Sequence, residues 1–98
     1  METKKKVQKN EILEVDIFGK KISNPIGIAA GFDKDAQAIG GILKLGFAFV
    51  EAGTVTPEPQ PGNPRPNLFR LAEDKALINW LGIPSQGLEV FARRLESL

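Results

Sequence analysis

The chain has 98 residues, a mass of 10.7 kDa and 42% hydrophobic residues, enough for the core of one small domain. It contains neither Cys nor His, which excludes disulfide bonds, thiolate nucleophiles and the commonest zinc ligands, and we expect no metal site. The net charge is +1 and the positive charge is concentrated in the first ten residues, so the body of the chain is not expected to bind nucleic acid.

Residues 1–10 form the first predicted region, a basic flexible tail that contains Lys4, Lys5, Lys6 and Lys9. No apolar segment follows these lysines, so the tail is not expected to be a signal peptide. The longest charge-free run, Ala76–Leu88, is too short for a bilayer span and is interrupted by Gly and Pro. We therefore expect no transmembrane segment, and the absence of Cys fits a cytoplasmic location.

A short antiparallel hairpin is predicted after the tail. Leu13, Val15 and Ile17 alternate with acidic residues, and this period of two is typical of a half-buried strand. Phe18–Lys21 then predicts a turn, and Lys21–Ser23 is expected to start the return strand.

A βαβ unit is predicted next. Ile26–Ala30 and Phe47–Val50 are continuous apolar runs, which are typical of strands buried on both faces of a parallel sheet. Between them, Asp33 and Asp35 are expected to begin a helix, since anionic side chains complement the positive end of the helix dipole. The apolar face of this helix is predicted to contain Ala36, Ile39, Ile42 and Leu43.

The segment after the second parallel strand is rich in proline. Five of the seven prolines lie in Pro57–Pro66, which predicts an irregular loop, with a PxxP ligand at Pro61 and Pro64 as the alternative. Asn67–Leu71 predicts a short strand. Ala76–Asn79 is predicted to be its partner or part of a helical turn.

The last element is predicted to be an amphipathic helix that starts at Pro84-Ser85. Its apolar stripe consists of Leu88, Phe91, Leu95 and Leu98. Glu89 and Arg93 are spaced to form an i,i+4 ion pair. We expect the stripe to pack on the sheet, and the alternative is a seam between two copies of the helix.

Two segments follow the predicted parallel strands, Ala29–Lys34 and Glu51–Thr56. Ligands of α/β proteins bind at the carboxyl ends of parallel strands, so these segments are candidates for a binding site. Each contains a glycine that allows close approach of the backbone. Lys34 is the charged nitrogen at this edge and could stabilise an anion that develops on a bound ring.

Three motifs, two of which contain these segments, resemble those of the quinone-dependent (class 2) dihydroorotate dehydrogenases. Asn24–Lys34 resembles the first barrel strand of that family, Gly46–Pro57 the second strand and Pro59–Leu71 the loop that follows. The resemblance covers residues 11–98, which form the second predicted region. It implies an α/β fold that is the N-terminal part of a flavin-binding (β/α)₈ TIM barrel, with a β-hairpin followed by βαβ-loop-α units.

The resemblance also implies an activity, the FMN-dependent oxidation of dihydroorotate to orotate in pyrimidine biosynthesis, with a quinone as electron acceptor. The residues implied to bind FMN are Ala30, Gly31, Phe32, Asp33, Lys34 and Thr54. The residues implied to bind the substrate are Lys34, Asn79, Trp80, Leu81, Gly82 and Ile83.

The substrate segment departs from the class 2 pattern. Trp80, Ile83 and Pro84 stand where that pattern has Arg, Phe and Asn, and the pair Ile83-Pro84 is more similar to the soluble class 1 enzymes. The serine base of the family is implied to lie beyond Leu98. No catalytic residue is therefore expected in this chain, and the chain by itself is expected to be inactive.

Two alternatives from other functional classes stay open. One is a non-catalytic barrel fragment that folds by self-association or with a complementing chain, because a two-stranded parallel sheet leaves its edges unpaired. The other is an interaction module built on the proline-rich loop and the basic tail.

Overall fold

The computed structural model describes residues 7–98, and most of the predicted tail, residues 1–6, lies outside this range. The side chain of Asn10 accepts a hydrogen bond from the N–H of Ile12 at 3.1 Å and caps a 3₁₀ helix, Glu11–Leu13. Leu13 was predicted to lie in the first strand. That assignment is wrong, because the cap draws Leu13 into the helical turn and the strand starts two residues later.

The predicted hairpin is confirmed, but its turn is shorter than predicted, because Lys20 and Lys21 already pair with the first strand. Strands β1 (Val15–Ile17) and β2 (Lys20–Ile22) are antiparallel, with Ile17 opposite Lys20. Phe18 and Gly19 form the two-residue turn and have φ values of 50° and 74°. Two successive positive φ values match the turn type that suits the twist of a hairpin.

The predicted βαβ unit is confirmed in its order. Strands β3 (Gly27–Ile28) and β4 (Phe49–Val50) are parallel, and helix α1 (Ile39–Lys44) lies between them in the chain. The expectation that both strands are buried on both faces is wrong, since Phe49 is 40% exposed and no residue of either strand is buried.

Helix α1 starts later than predicted. The carboxylate of Asp33 accepts hydrogen bonds from the N–H groups of Gln37 and Ala38, both at 2.8 Å, and Ala36 has a φ of 56°. These bonds hold residues 33–38 as a loop, so Asp33 organises the approach to the helix and not its first turn. Ile39 and Ile42 are buried as predicted, whereas Leu43 is exposed.

The proline-rich segment is irregular, as predicted, and is followed by a second hairpin. Strands β5 (Leu68–Leu71) and β6 (Ala76–Asn79) are antiparallel, with Leu68 opposite Asn79. The strand assignment of Ala76–Asn79 is confirmed and the helical alternative is wrong. Every residue of both strands is exposed, because nothing in residues 7–98 packs on either face of this hairpin.

Helix α2 (Leu88–Glu96) is the predicted last helix, but Gly87, and not Ser85, occupies its N-cap position. Of the predicted apolar stripe only Phe91 is buried, while Leu88, Leu95 and Leu98 are exposed. The Glu89–Arg93 ion pair is present at 3.5 Å, and since both side chains are more than two-thirds exposed it contributes little stability.

The core is small and lies between the two helices and the segment that contains and follows strand β4. Ala36, Ile39 and Phe91 are buried together, and the partly buried side chains packed against them are Val50, Ala52 and Val55. The fold is α/β, with three separate two-stranded sheets and no closed barrel in the described residues. Within the same range, no helix is long and apolar enough to cross a membrane.

The chain exposes much more surface than a folded monomer of its mass. Its accessible surface is 8413 Å², whereas a compact monomer of this size exposes about 5,500 Å². Its radius of gyration is 16.8 Å, compared with about 13 Å for a compact domain of this length. Large apolar side chains on β5, β6 and α2 account for part of the difference.

Candidate functional site

The carboxyl ends of β3 and β4 are joined by backbone hydrogen bonds beyond the strands themselves. The N–H of Gly31 donates to the carbonyl of Gly53 at 2.8 Å, and the N–H of Gly53 donates to the carbonyl of Asp33 at 3.2 Å. The two segments predicted to form the ligand edge therefore lie side by side. Gly31 has a φ of 95°, and a side chain there would meet no neighbour, so its Cα faces open space.

Lys34 is held at this edge. Its ammonium Nζ donates to the carbonyl of Gly31, which folds the side chain back over the end of β3. The neighbouring Asp35 is fixed to α2, since its carbonyl accepts from Arg94 Nη1 at 2.9 Å and its carboxylate accepts from the N–H of Gln86 at 2.8 Å. The loop that carries Lys34 is thus attached to the last helix, which the sequence did not indicate.

A third segment, Asn79–Pro84, lies at the end of β6 and is hydrogen-bonded to the proline-rich loop. The N–H of Trp80 donates to the carbonyl of Asn67 at 2.9 Å, and its indole Nε1 donates to the carbonyl of Pro66 at 3.0 Å. These two bonds fix the backbone and the ring of Trp80 at the end of β6.

The three segments line an open cavity of about 550 Å³. Its lining residues are Ala30, Gly31, Lys34, Thr54, Asn79, Trp80, Leu81, Gly82, Ile83 and Pro84. A volume of this order is typical of small-molecule sites. Residues more than forty positions apart in the chain, Lys34 and Asn79 for example, are thus brought to one concave surface.

Two residues predicted to bind FMN do not line the cavity. Phe32 is 73% exposed, and Asp33 is 6% exposed with its carboxylate bonded to two backbone N–H groups. Pro84 lines the cavity and was not among the predicted binding residues. The prediction could have included it, because it directly follows Ile83 in the motif that carried the resemblance.

The lining offers groups suited to a planar polar ring. Lys34 supplies a cation, Thr54 an exposed hydroxyl and Trp80 an aromatic surface. Asn79 Oδ1 accepts a long bond of 3.5 Å from the N–H of Leu81, and Asn79 Nδ2 has no acceptor within residues 7–98. An amide with a free donor is suited to recognise the edge of a heterocycle.

Comparison with known proteins gives consistent results. The family model described as Dihydroorotate dehydrogenase matches residues 12–98. The chain is 56% identical over 90 residues to "Dihydroorotate dehydrogenase (quinone), mitochondrial" of Mus musculus, and this match covers 92% of the chain and 23% of the mouse protein. It is 61% identical over 83 residues to "Dihydroorotate dehydrogenase (quinone)" of Rhodopseudomonas palustris, covering 85% of the chain and 23% of that relative.

Solved structures agree with these matches. The chain superposes on the crystal structure of DHODH in complex with ferulenol from Eimeria tenella with a TM-score of 0.85 and 51% identity, covering 92% of this chain and 24% of that one. The ligand-free form from the same organism gives a TM-score of 0.86. The chain therefore spans about a quarter of the length of the relatives it matches.

Proposed function

Because the chain belongs to the dihydroorotate dehydrogenase family, we propose that it supplies one wall of an FMN and dihydroorotate site in a quinone-dependent dihydroorotate dehydrogenase. The observation that carries this proposal is that Lys34, Thr54 and Asn79–Pro84 line one and the same cavity. The fold fits the first part of a (β/α)₈ barrel, since the parallel pair β3–β4 places its carboxyl ends at that cavity.

The residues at the cavity fit a flavin. The open space at Gly31 allows a flat ring to approach the backbone, and Ala30 adds no bulk. We propose that Ala30, Gly31, Lys34 and Thr54 hold FMN, which when bound supplies the acceptor for a hydride. Asp33 is proposed to act on this site through its loop, because its carboxylate accepts from the N–H groups of Gln37 and Ala38. Phe32 remains a predicted FMN residue without a contact in residues 7–98 that supports it.

The substrate side of the cavity is proposed to be Asn79–Ile83 together with Lys34. The lysine cation stabilises negative charge on the bound ring or its carboxylate, and Asn79 bonds the edge of the ring. None of the chain's serines, Ser23, Ser85 and Ser97, lines the cavity, and the hydroxyl of Ser85 is buried and accepts from the N–H groups of Thr56 and Gly87. We therefore expect no proton-accepting serine from this segment.

Flavin binding tests the proposal directly. Purified chain mixed with FMN is expected to retain flavin absorbance after gel filtration and to quench the emission of Trp80, its single tryptophan. Dihydroorotate is expected to give no steady reduction of a dye by this chain alone. If saturating FMN leaves no flavin on the chain and does not quench the emission of Trp80, the proposal that this cavity holds FMN is contradicted. Steady turnover contradicts the expectation that a serine from elsewhere is required.

The alternative of a non-catalytic fragment is favoured by one observation, the large exposed apolar surface. We propose that the chain by itself associates with a second copy or with a complementing chain, since exposed strand edges and apolar faces promote pairing. Sedimentation equilibrium of the isolated chain is expected to show a mass that rises with protein concentration. A monomer of constant mass across the accessible concentration range contradicts this proposal.

A further inference from the structure

The carbonyl groups of the cavity segment are bonded one after another to the proline-rich loop. The carbonyl of Trp80 accepts from Asn63 Nδ2 at 2.6 Å, and the carbonyl of Leu81 accepts from the N–H of Asn63 at 2.9 Å. The carbonyls of Gly82 and Ile83 both accept from Gln60 Nε2, at 3.3 and 2.8 Å. Four consecutive carbonyls are thus bonded by two residues.

The backbones of Gln60 and Ser85 extend this attachment. The N–H of Gln60 donates to the carbonyl of Ser85 and the N–H of Ser85 donates to the carbonyl of Gln60, both at 2.9 Å. Gly82 is packed so closely on the loop that a Cβ there would lie 2.7 Å from the backbone nitrogen of Asn63. The loop and the cavity segment therefore have one fixed relative position.

The direction of these bonds determines what the segment presents to the cavity. In a trans peptide unit the N–H points opposite to the carbonyl, so carbonyls directed to the loop leave the N–H groups directed away from it. The N–H groups of Gly82 and Ile83 have no acceptor within residues 7–98. The carbonyl oxygens, which are partially negative, are therefore directed away from the cavity. This direction favours an anionic or carbonyl-bearing ligand in the cavity.

The backbone of this segment is in a conformation that needs support. Gly82 has a φ of 75° and Ile83 has a φ of 53°, and for a β-branched residue a positive φ is unfavourable. Such a conformation persists only where surrounding contacts impose it. The bond from Gln60 Nε2 to the carbonyl of Ile83 is the contact that acts on this residue directly.

We infer that Gln60 and Asn63 are positioning residues, which set the backbone of Trp80–Ile83 for an anionic planar ligand without touching the ligand themselves. Neither residue lines the cavity. The identity of the ligand in this inference rests on the proposed function. The positioning role itself rests on the hydrogen bonds described above. The proline-rich loop thus holds the backbone of the binding site in one conformation.

Two variants, Gln60→Met and Asn63→Leu, test the inference. Each removes the amide donor, keeps the side-chain size and adds no charge. The matched control is Gln37→Met, because the Gln37 side chain is exposed and makes no hydrogen bond within residues 7–98. Orotate is titrated against each protein saturated with FMN, and the change in flavin absorbance reports binding. Asn63→Leu removes one hydrogen bond to the segment, and Gln60→Met removes two, of which the one to Gly82 is long. Each variant is expected to bind orotate about tenfold more weakly.

Amide hydrogen exchange supplies a second readout that needs no ligand. The N–H of residue 63 and the N–H of Ser85 are expected to exchange about tenfold faster in both variants, while the amides of α1 keep their rates. Faster exchange throughout the chain, or an orotate Kd and local exchange rates equal to those of the control, overturns the inference. If wild-type chain binds neither FMN nor orotate, the proposed function fails, and the exchange rates alone decide whether Gln60 and Asn63 position the segment.

Discussion

Replacement of Gly62 by alanine is expected to separate the proline-rich loop from the cavity segment and to lower the free energy of unfolding by about 3 kcal/mol. Gly62 has a φ of 76°, and a Cβ at this position would overlap the carbonyl oxygen of Leu81 and lie 3.3 Å from Pro84. The obstacle is backbone, which cannot turn aside as a flexible side chain does. Urea unfolding at matched protein concentrations measures the loss.

Gly41→Ala is the matched control for this variant. Gly41 lies in α1, and a Cβ at this position would have no neighbouring atom within 4 Å, so alanine meets no obstacle there. Because alanine is the better helix former, Gly41→Ala is expected to raise the free energy of unfolding by up to about 1 kcal/mol. Equal unfolding midpoints for Gly62→Ala and wild type would show that the close packing of loop and segment does not contribute to stability.

Replacement of Lys34 by methionine is expected to weaken the binding of FMN or orotate about 10- to 100-fold, the effect of losing a charged hydrogen-bond donor. Methionine keeps the length of the aliphatic stem, so the change isolates the ammonium group. Lys34 is the charged side chain that lines the cavity, and its bond to the Gly31 carbonyl already places it there. Because the Lys34 ammonium is held at the cavity before a ligand binds, binding costs the lysine little side-chain entropy. The affinity lost with the charge in Lys34→Met is therefore not offset by a smaller entropy cost.

Lys44→Met is the control for the lysine variant. Lys44 is exposed at the end of α1 and lies outside the cavity lining, so the variant removes the same charge from the chain without changing the site. Titration of each protein, followed by Trp80 emission and flavin absorbance, gives the dissociation constants. Binding by Lys34→Met within twofold of Lys44→Met would contradict the role proposed for Lys34.

The part of the fold that depends on local preferences could be predicted from the sequence. Alternation at Val15 and Ile17, with a glycine in the turn, predicted the first hairpin, and two apolar runs around a helix predicted the parallel pair. Both features follow from periodicity and turn chemistry, which act over a few residues. The start of α1 could not be predicted this way, because the Asp33 carboxylate bonds Gln37 and Ala38 in a loop and not in a first helical turn.

Burial was predicted less well than secondary structure. The stripe on α2 and the runs at β3 and β4 were expected to be covered, yet Leu88, Phe49 and Ile26 are exposed. A hydrophobic pattern shows which face an element can bury, but another element must be present to cover that face. In residues 7–98 only Phe91 of the stripe finds such a partner, in Ala36 and Ile39.

The sequence by itself determined the family and predicted nine of the ten residues that line the cavity, because the motifs around Lys34, Thr54 and Asn79 have the spacing of that family. Only the tertiary structure showed that these residues share one cavity and that Gln60, Asn63 and Arg94 hold two of its walls. The physical reason is distance along the chain. Hydrogen bonds such as those from Gln60 to Ile83 and from Arg94 to Asp35 join residues 23 and 59 positions apart, and local sequence patterns carry no record of such pairs.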